Sequence, residues 1–406
     1  MRMSKSTDYL TARQTLLDIV KTIDKEQIAL EDGAGRVLAM NLVADENVPP
    51  FDRSAYDGYA FRSADVAEAS EEHPVTLKII EEIPAGSVGT KPVTAGTAVK
   101  ILTGAPVPKG ADAVVNYEAT EFTEEQVTIF KPVKHDANIV KTGEDVQEGQ
   151  ILASAGTVID AGLLGSLASQ GIVRPEVYKR PMVGIISTGS EVVEADQETG
   201  PGKIHNSNRY TLDVALRKIG CEPKYFGIAG DRKEDIHRLL EQALEICDAI
   251  LLTGGVSVGD YDVTPDAMEM AGIKILVRGV SIKPGMACAY GEKNGIIICG
   301  LSGNPASCIT NFYAIVLPAL QKLAGRANPI PEEIEMELAE ECRKKSSVTR
   351  FLRGRLSLAD GTVKMIPTKS QGNVVLSSTI GCDAMAIVPA GQGPVAAGAK
   401  LKGFLL

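Results

Sequence analysis

The chain reads as a multidomain protein built on a central α/β domain with a mostly parallel sheet, preceded by a β-rich domain and followed by a small C-terminal β-barrel. Three observations predict this. Its 406 residues exceed what one hydrophobic core usually serves. Between residues 181 and about 326, apolar runs alternate with amphipathic stretches in the order strand, loop, helix. Before and after that region the pattern is one of short β-prone runs broken by turns rich in Gly, Pro and Asp.

Taken in chain order, Leu10, Leu16, Leu17, Val20 and Ile23 recur at helical spacing and predict an amphipathic helix over residues 7–23. Residues 34–44 are expected to continue that unit. Val48-Pro49-Pro50 stops it, because two prolines remove amide donors and push the preceding residue out of the α region. β runs follow at 75–80, 98–102, 113–117 and 127–130, and residues 156–170 read as a turn and a small-residue helix. The predicted division is 1–48 with 139–180 as an elongated linker domain, 49–138 as the β-rich domain, 181–328 as the α/β domain and 329–406 as the barrel. Within the α/β domain strands are expected at 183–187, 223–228, 249–252 and 296–299. The helices are expected at 211–219, 233–245, 265–271 and 305–323.

Composition excludes several classes. Hydrophobic residues at 44% and charged residues at 23% are the balance of a globular chain and not of a disordered one. A net charge of −10, no Trp and 4% aromatics leave little for counterion release or base stacking, so no nucleic acid partner is expected. The seven cysteines show no CxxC pair and no metal-like spacing, and read as reduced thiols of a cytoplasmic protein. The start lacks the apolar core of a signal peptide, and no run approaches the roughly 20 apolar residues of a membrane span.

In an open α/β sheet, ligands sit beyond the carboxyl ends of the strands. Four segments follow predicted strands: STGSE (187–191), AGDR (229–232), TGGVSVGDYD (253–262) and GLSGNPAS (300–307). All combine Gly with Ser, Thr, Asp, Glu or Asn, the residues that offer amides and hydroxyls to an anion or oxygens to Mg²⁺. In the third, Gly254, Gly255 and Gly259 allow close backbone approach, Thr253 and Ser257 add hydroxyls, and Asp260 and Asp262 can hold a divalent ion. The same residues also fit a tight turn with solvated acids. It is neither a Walker A loop nor a dinucleotide fingerprint. Asn304-Pro305 opens an apolar helix with unsatisfied amides, and Lys283 sits in a Pro-Gly turn where a cation can neutralise an oxyanion. PPFDRSAYDGYA (49–60) and NIVKTGEDV (138–146) carry further acids in expected loops. The four histidines are isolated, so histidine catalysis is not indicated.

PPFDRSAYDGYA, ILTGAPVPKGADAVV, GEDV, GIISTGSE, LLTGGVSVGDYD, IKPG and GLSGNPAS, in this order, closely resemble the molybdopterin molybdenumtransferase family, the bacterial MoeA type related to the E domain of gephyrin. The resemblance runs from about residue 7 to the end of the sequence. It implies an enzyme that inserts molybdate into adenylylated molybdopterin, releases AMP and forms the molybdenum cofactor with Mg²⁺ at the phosphates. It also implies a homodimer with a composite active site, an adenylyltransferase upstream and apo-molybdoenzymes downstream. Carried over residue by residue, Glu191, Asp231 and Asp262 are catalytic acids of the sheet domain, and Asp57 and Asp145 are catalytic acids delivered by the partner subunit. Asp260, Asp262 and Glu191 are the implied metal ligands. Thr188, Gly189, Thr253, Gly254, Gly255, Ser257, Gly259, Lys283, Ser302, Gly303, Asn304 and Arg353 are the implied substrate-binding residues. Asp260 stands where the family commonly has Glu, and Met286 where many relatives have a second basic residue. Two alternatives are a molybdopterin adenylyltransferase, whose resemblance would cover the sheet domain alone, and a non-catalytic scaffold of the gephyrin E type.

Overall fold

Val, Ile and Leu packed into short continuous runs form strands that are buried on both faces, and these make the centre of the α/β domain. The computed structural model describes residues 6–256, 263–359 and 361–406. The chain divides into two units. One comprises the chain up to Met40, Ala155–Asp160 and Arg174–Leu406, and the other comprises Asn41–Ser154 and Ala161–Val173.

In the first unit the strands Glu222–Ala229, Met182–Thr188, Ala249–Thr253 and Ile296–Leu301 lie side by side in that order, all parallel. An antiparallel pair, Ala289–Lys293 and Lys274–Arg278, extends the sheet past Ile296–Leu301. The four parallel strands and the helices Ser207–Lys218, Lys233–Leu244, Thr264–Met270 and Pro305–Leu323 agree with the sequence to within a few residues, except that the Ser207 helix begins four residues early. The expected 305–323 helix contains a π segment at Phe312–Val316, just before Pro318. Proline has no amide to give to the carbonyl four residues back, and the wider turn accommodates that loss.

The first helix runs Tyr9–Ile19, shorter than the expected 7–23, and is capped by Asp8, whose carboxylate accepts from the Leu10 and Thr11 amides. Its Tyr9, Ala12 and Leu16 join the same core as Val183, Leu251, Tyr290 and Phe312. Tyr9 also meets Phe351 of the barrel edge-on, with ring centroids 5.3 Å apart. The expected helical continuation over residues 34–44 is not formed. Gly35 takes φ 73°, and Val37 and Leu38 bridge to Val158 and Val177, so β pairing with residues distant in the same chain stands in place of a helix.

The barrel consists of Ile334–Leu338, Thr349–Ala359, Thr362–Pro367, Ala384–Val388 and Lys400–Leu405. Thr349–Ala359 pairs with both Thr362–Pro367 and Ala384–Val388, which closes the five strands on themselves and removes free edges. Ile282–Lys283, from the turn after Lys274–Arg278, adds in parallel beside Thr349 and Arg350.

The second unit holds a six-stranded sheet in the order Ala113–Asn116, Gly58–Phe61, Thr97–Ile101, Val75–Ile83, Gln126–Ile129 and Thr120–Phe122. The segment 49–60, expected as a loop, ends in the fully buried strand Gly58–Phe61. Glycine is required at position 58 because a Cβ there would overlap the carbonyl of Val115 on the neighbouring strand. Five of the seven cysteines are buried, while Cys342 and Cys382 are half-buried. Among the described residues no helix is long and apolar enough to cross a membrane.

One polar contact inside this apolar interior is decisive for packing. The Tyr290 hydroxyl donates to Asn311 Oδ1 at 2.7 Å, and Asn311 Nδ2 donates to the Gly285 carbonyl at 2.8 Å, with both side chains fully buried. Tyr290→Phe leaves a buried acceptor short of its donor and should lower stability by about 1–2 kcal/mol. Thermal unfolding of the two chains side by side checks it, and an unchanged transition would refute the assignment.

Candidate active site

Because Met182–Thr188, Glu222–Ala229, Ala249–Thr253 and Ile296–Leu301 are parallel, the loops that follow them emerge on one edge of the sheet. Thr188, Gly189 and Glu191 occupy the first loop. The Ser190 amide donates to both carboxylate oxygens of Asp231, at 3.2 and 3.1 Å, so the exposed Asp231 at the end of the neighbouring strand is held against this turn. Glu191 folds its carboxylate back over Gly189, where any Cβ would collide with it. Glu191 and Asp231 therefore flank one turn. Lys203 Nζ donates to the Ser190 carbonyl, adding a cation that sequence reading did not single out.

Thr253, Gly254 and Gly255 form the start of the third loop. Gly254 and Gly255 have φ of 108° and 62°, and a Cβ on the former would overlap Thr188 while one on the latter would press on Thr264 Oγ1. Both glycines thus permit close packing of loop on loop. The Thr188 hydroxyl donates to the Thr253 carbonyl at 3.4 Å, and the Gly254 amide donates to the Leu301 carbonyl at 3.0 Å. Ser257, Gly259, Asp260 and Asp262 lie outside the described residues.

Ser302, Gly303 and Asn304 make the fourth loop. The Ser302 hydroxyl accepts from the Asn304 amide at 3.3 Å, and Asn304 stands at the N-terminus of the Pro305–Asn311 helix. The Ala306 amide donates to the Asn373 carbonyl of the barrel's Gln371–Ser378 segment at 3.1 Å. Arg353, on the barrel strand, is completely buried. Its Nε donates to Ser378 Oγ at 3.0 Å and one terminal nitrogen to the Gly372 carbonyl at 3.3 Å, while the other has no partner among the described residues. Lys283 is exposed, and its backbone pairs with Arg350, three residues before Arg353 on the same strand. Met286 is 37% exposed.

Two asparagines that sequence reading passed over bind these loops together. Asn206 caps the Ser207–Lys218 helix by accepting from the Arg209 amide, and its Nδ2 donates to Ser187 Oγ at 2.9 Å and to Tyr225 at 3.1 Å. Tyr225 in turn donates to Glu194 at 2.6 Å, and Arg209 stacks on its ring at 3.9 Å while pairing with Glu194. Asn208 Nδ2 donates to Thr253 Oγ1 at 2.6 Å and to the Gly303 carbonyl at 2.8 Å. In the sequence, HNSNRY shows only a good helix start. The loop contacts of the two asparagines had no signal of their own.

The acids of the second unit are held separately. Asp57 accepts from the Thr103 hydroxyl and amide, both at 2.6 Å, and the hydroxyl and then the amide bond hold its carboxyl below the usual carboxylate range. It is an anion at neutral pH. Asp52 accepts from the Thr142 amide and hydroxyl and from Lys141, which fastens the segment before Asp57 to the turn that carries Asp145. Asp145 is exposed, with its amide bound to the Val48 carbonyl. His73, His135 and His205 are exposed and His237 is half-buried. Among the described residues no three His, Cys, Asp or Glu side chains converge as a ready metal cage.

Comparison with known proteins gives a consistent answer along the chain. Three family models match: MoeA N-terminal region (domain I and II) over residues 7–171, "Probable molybdopterin binding domain" over 184–322, and MoeA C-terminal region (domain IV) over 335–404. A molybdopterin molybdenumtransferase from Bacillus subtilis is 37% identical over 372 residues, covering 91% of this chain and 86% of the relative. One from Staphylococcus aureus is 36% identical over 370 residues, covering 90% and 87%. The crystal structure of the molybdopterin biosynthesis moeA protein from Pyrococcus horikoshii OT3 superposes with a TM-score of 0.85 at 32% identity, covering 99% of this chain and 100% of that one. With three family models matched in order along the sequence and relatives 36–37% identical over nine-tenths of it, the chain belongs to the MoeA-type molybdopterin molybdenumtransferase family.

Proposed function

We propose that the chain is a molybdopterin molybdenumtransferase, which inserts molybdate into adenylylated molybdopterin and releases AMP to form the molybdenum cofactor. The observation that carries this is the convergence of amide-rich loops and flanking carboxylates on one sheet edge, in a chain related to this family over nearly its whole length.

Each part has a task that follows from its chemistry. Gly255 and Gly303 bring backbone to this edge with no side chain to hold a pyrophosphate away, while the Gly254 and Asn304 amides are bonded to the Leu301 carbonyl and the Ser302 hydroxyl. Glu191 and Asp231 give hard oxygen donors around one turn, which suits Mg²⁺, an ion that takes one or two carboxylates and completes its shell with water and phosphate. Asp260 and Asp262 would add to that set. Bound there, Mg²⁺ would neutralise phosphate charge as AMP departs. Molybdate, as substrate, calls for fixed cations. Support for its place comes from the buried Arg353, one of whose terminal nitrogens has no partner among the described residues, and from Lys283 on the adjoining strand. The dithiolene sulfurs of the pterin supply the nucleophiles, so the protein positions and neutralises and forms no covalent intermediate.

The partner subunit's Asp57 and Asp145 complete the site in this reading, making the enzyme an obligate homodimer. Asp57, kept anionic by Thr103, is suited to hold a metal or orient water. We place the reaction in the cytoplasm, where the buried thiols stay reduced, between an adenylyltransferase that supplies the substrate and the apo-molybdoenzymes that receive the product.

Purified protein given adenylylated molybdopterin, molybdate and Mg²⁺ should release AMP and yield active cofactor, and turnover no faster than without enzyme would refute the reading. Chelation by EDTA should stop AMP release and added Mg²⁺ should restore it. Asp57→Asn and Asp231→Asn should each reduce kcat about a hundredfold or more. Dissociating and reassembling a mixture of these two variants should restore about a quarter of the original activity, since heterodimers of a twofold symmetric pair regain one intact site. No recovery on mixing would mean that each subunit works alone.

A further inference from the structure

Asn208 sits at the start of the Ser207–Lys218 helix, 7% exposed, on none of the strands or loops that carry the proposed ligand contacts. Its amide nitrogen makes two bonds to two different loops, 2.6 Å to Thr253 Oγ1 and 2.8 Å to the Gly303 carbonyl. These loops also touch directly: a Cβ on Gly303 would lie 3.5 Å from the Gly254 Cα, and the Thr253 hydroxyl reaches the Ser302 carbonyl at 3.5 Å. Two residues earlier, Asn206 ties the same helix start to Ser187 at the mouth of the first loop. One asparagine-serine-asparagine step therefore fixes three of the four loops relative to one another.

Thr253 is central to this. Its hydroxyl accepts from Asn208 and points its own proton at the Ser302 carbonyl, so in this state it braces the loops and is not free to meet a ligand. The consequence falls on backbone groups. The spacing of the Gly254–Gly255 and Ser302–Gly303 turns, against whose backbone a phosphate would rest in the proposed reaction, is set by the Asn208 side chain that bonds to both.

We propose that Asn208 is a positioning residue, acting through Thr253 and Gly303 to hold the two phosphate-binding turns in their working placement. This deepens the molybdenumtransferase reading and rests on it. A hydrophobic or missing side chain at 208 leaves Thr253 Oγ1 and the Gly303 carbonyl without their shared donor, and the two loops can then separate. The effect belongs to the nucleotide half of the site and not to the oxyanion half, because Lys283 and Arg353 are held by the barrel.

The test uses the full-length chain, as Asn208→Ala, Thr253→Ala and the double variant, with Asn208→Asp as a shape-preserving substitution should the alanine fail to fold. Steady-state rates with adenylylated molybdopterin and molybdate are measured together with calorimetric binding of AMP. Each single variant should raise KM for the adenylylated pterin and the Kd for AMP about tenfold, with KM for molybdate unmoved. The double variant should be no worse than the poorer single one, because both changes remove the same brace. Unchanged AMP affinity in Asn208→Ala or Asn208→Asp, effects that multiply in the double variant, or an equal rise in KM for molybdate would each overturn the proposal. A wild-type chain that binds AMP but does not turn over tells against the family reaction while the AMP affinities still decide the brace. A wild-type chain that neither binds nor turns over overturns both.

Discussion

Hydrogen bonding between parallel strands forces their carboxyl ends to one edge, and the candidate site depends on that single constraint. Neighbouring strands in register cannot place their following loops anywhere else. Residues more than a hundred positions apart, such as Ser190 and Ser302, are thereby brought to the same edge before any side chain has contributed. The glycines then decide how closely those loops pack, and the polar side chains decide how firmly. This division explains why the loops are rich in small residues although the strands beneath them are made of Ile, Leu and Val.

Polar groups buried at such an edge must be paired or must wait for a ligand. Most are paired: Asn206, Asn208, Thr188 and Thr253 bond to one another's loops. Arg353 is the exception, a completely buried guanidinium whose charge is opposed by burial and whose last donor is unmatched among the described residues. A cation left this way is costly unless an anion joins it. That asymmetry distinguishes the two halves of the proposed site, the loops of the nucleotide half being braced by internal bonds and the barrel half holding a buried cation with a donor unmatched among the described residues.

Much of this was legible in the sequence, for physical reasons that can be named. The four parallel strands were found to within a few residues because strands buried on both faces read as unbroken apolar runs. The edge strand Lys274–Arg278 was passed over because its position tolerates Lys and Arg, which blur the pattern, whereas the β run read after the Lys283 turn is the strand Ala289–Lys293. Gly58–Phe61 was hidden by the acid before it and the glycine that opens it, although that glycine is there for strand contact and not for a turn. Residues 34–44 have apolar residues at helical spacing, yet partners distant in sequence captured them as β bridges. The motif loops were located correctly, whereas the asparagines that brace them look like any helix cap until their long-range bonds are seen.

The short Ile282–Lys283 strand, paired with the barrel residues Thr349 and Arg350, carries a consequence for the order in which the enzyme comes into being. A chain synthesised from its N-terminus has made all four sheet-edge loops once residue 307 has left the ribosome. It has then made none of the barrel. Lys283 is therefore made well before the strand it pairs with, and Arg353 and the Asn373 carbonyl that receives the Ala306 amide come later still. A chain cut short before residue 349 would lack the strand beside which Ile282–Lys283 is seated.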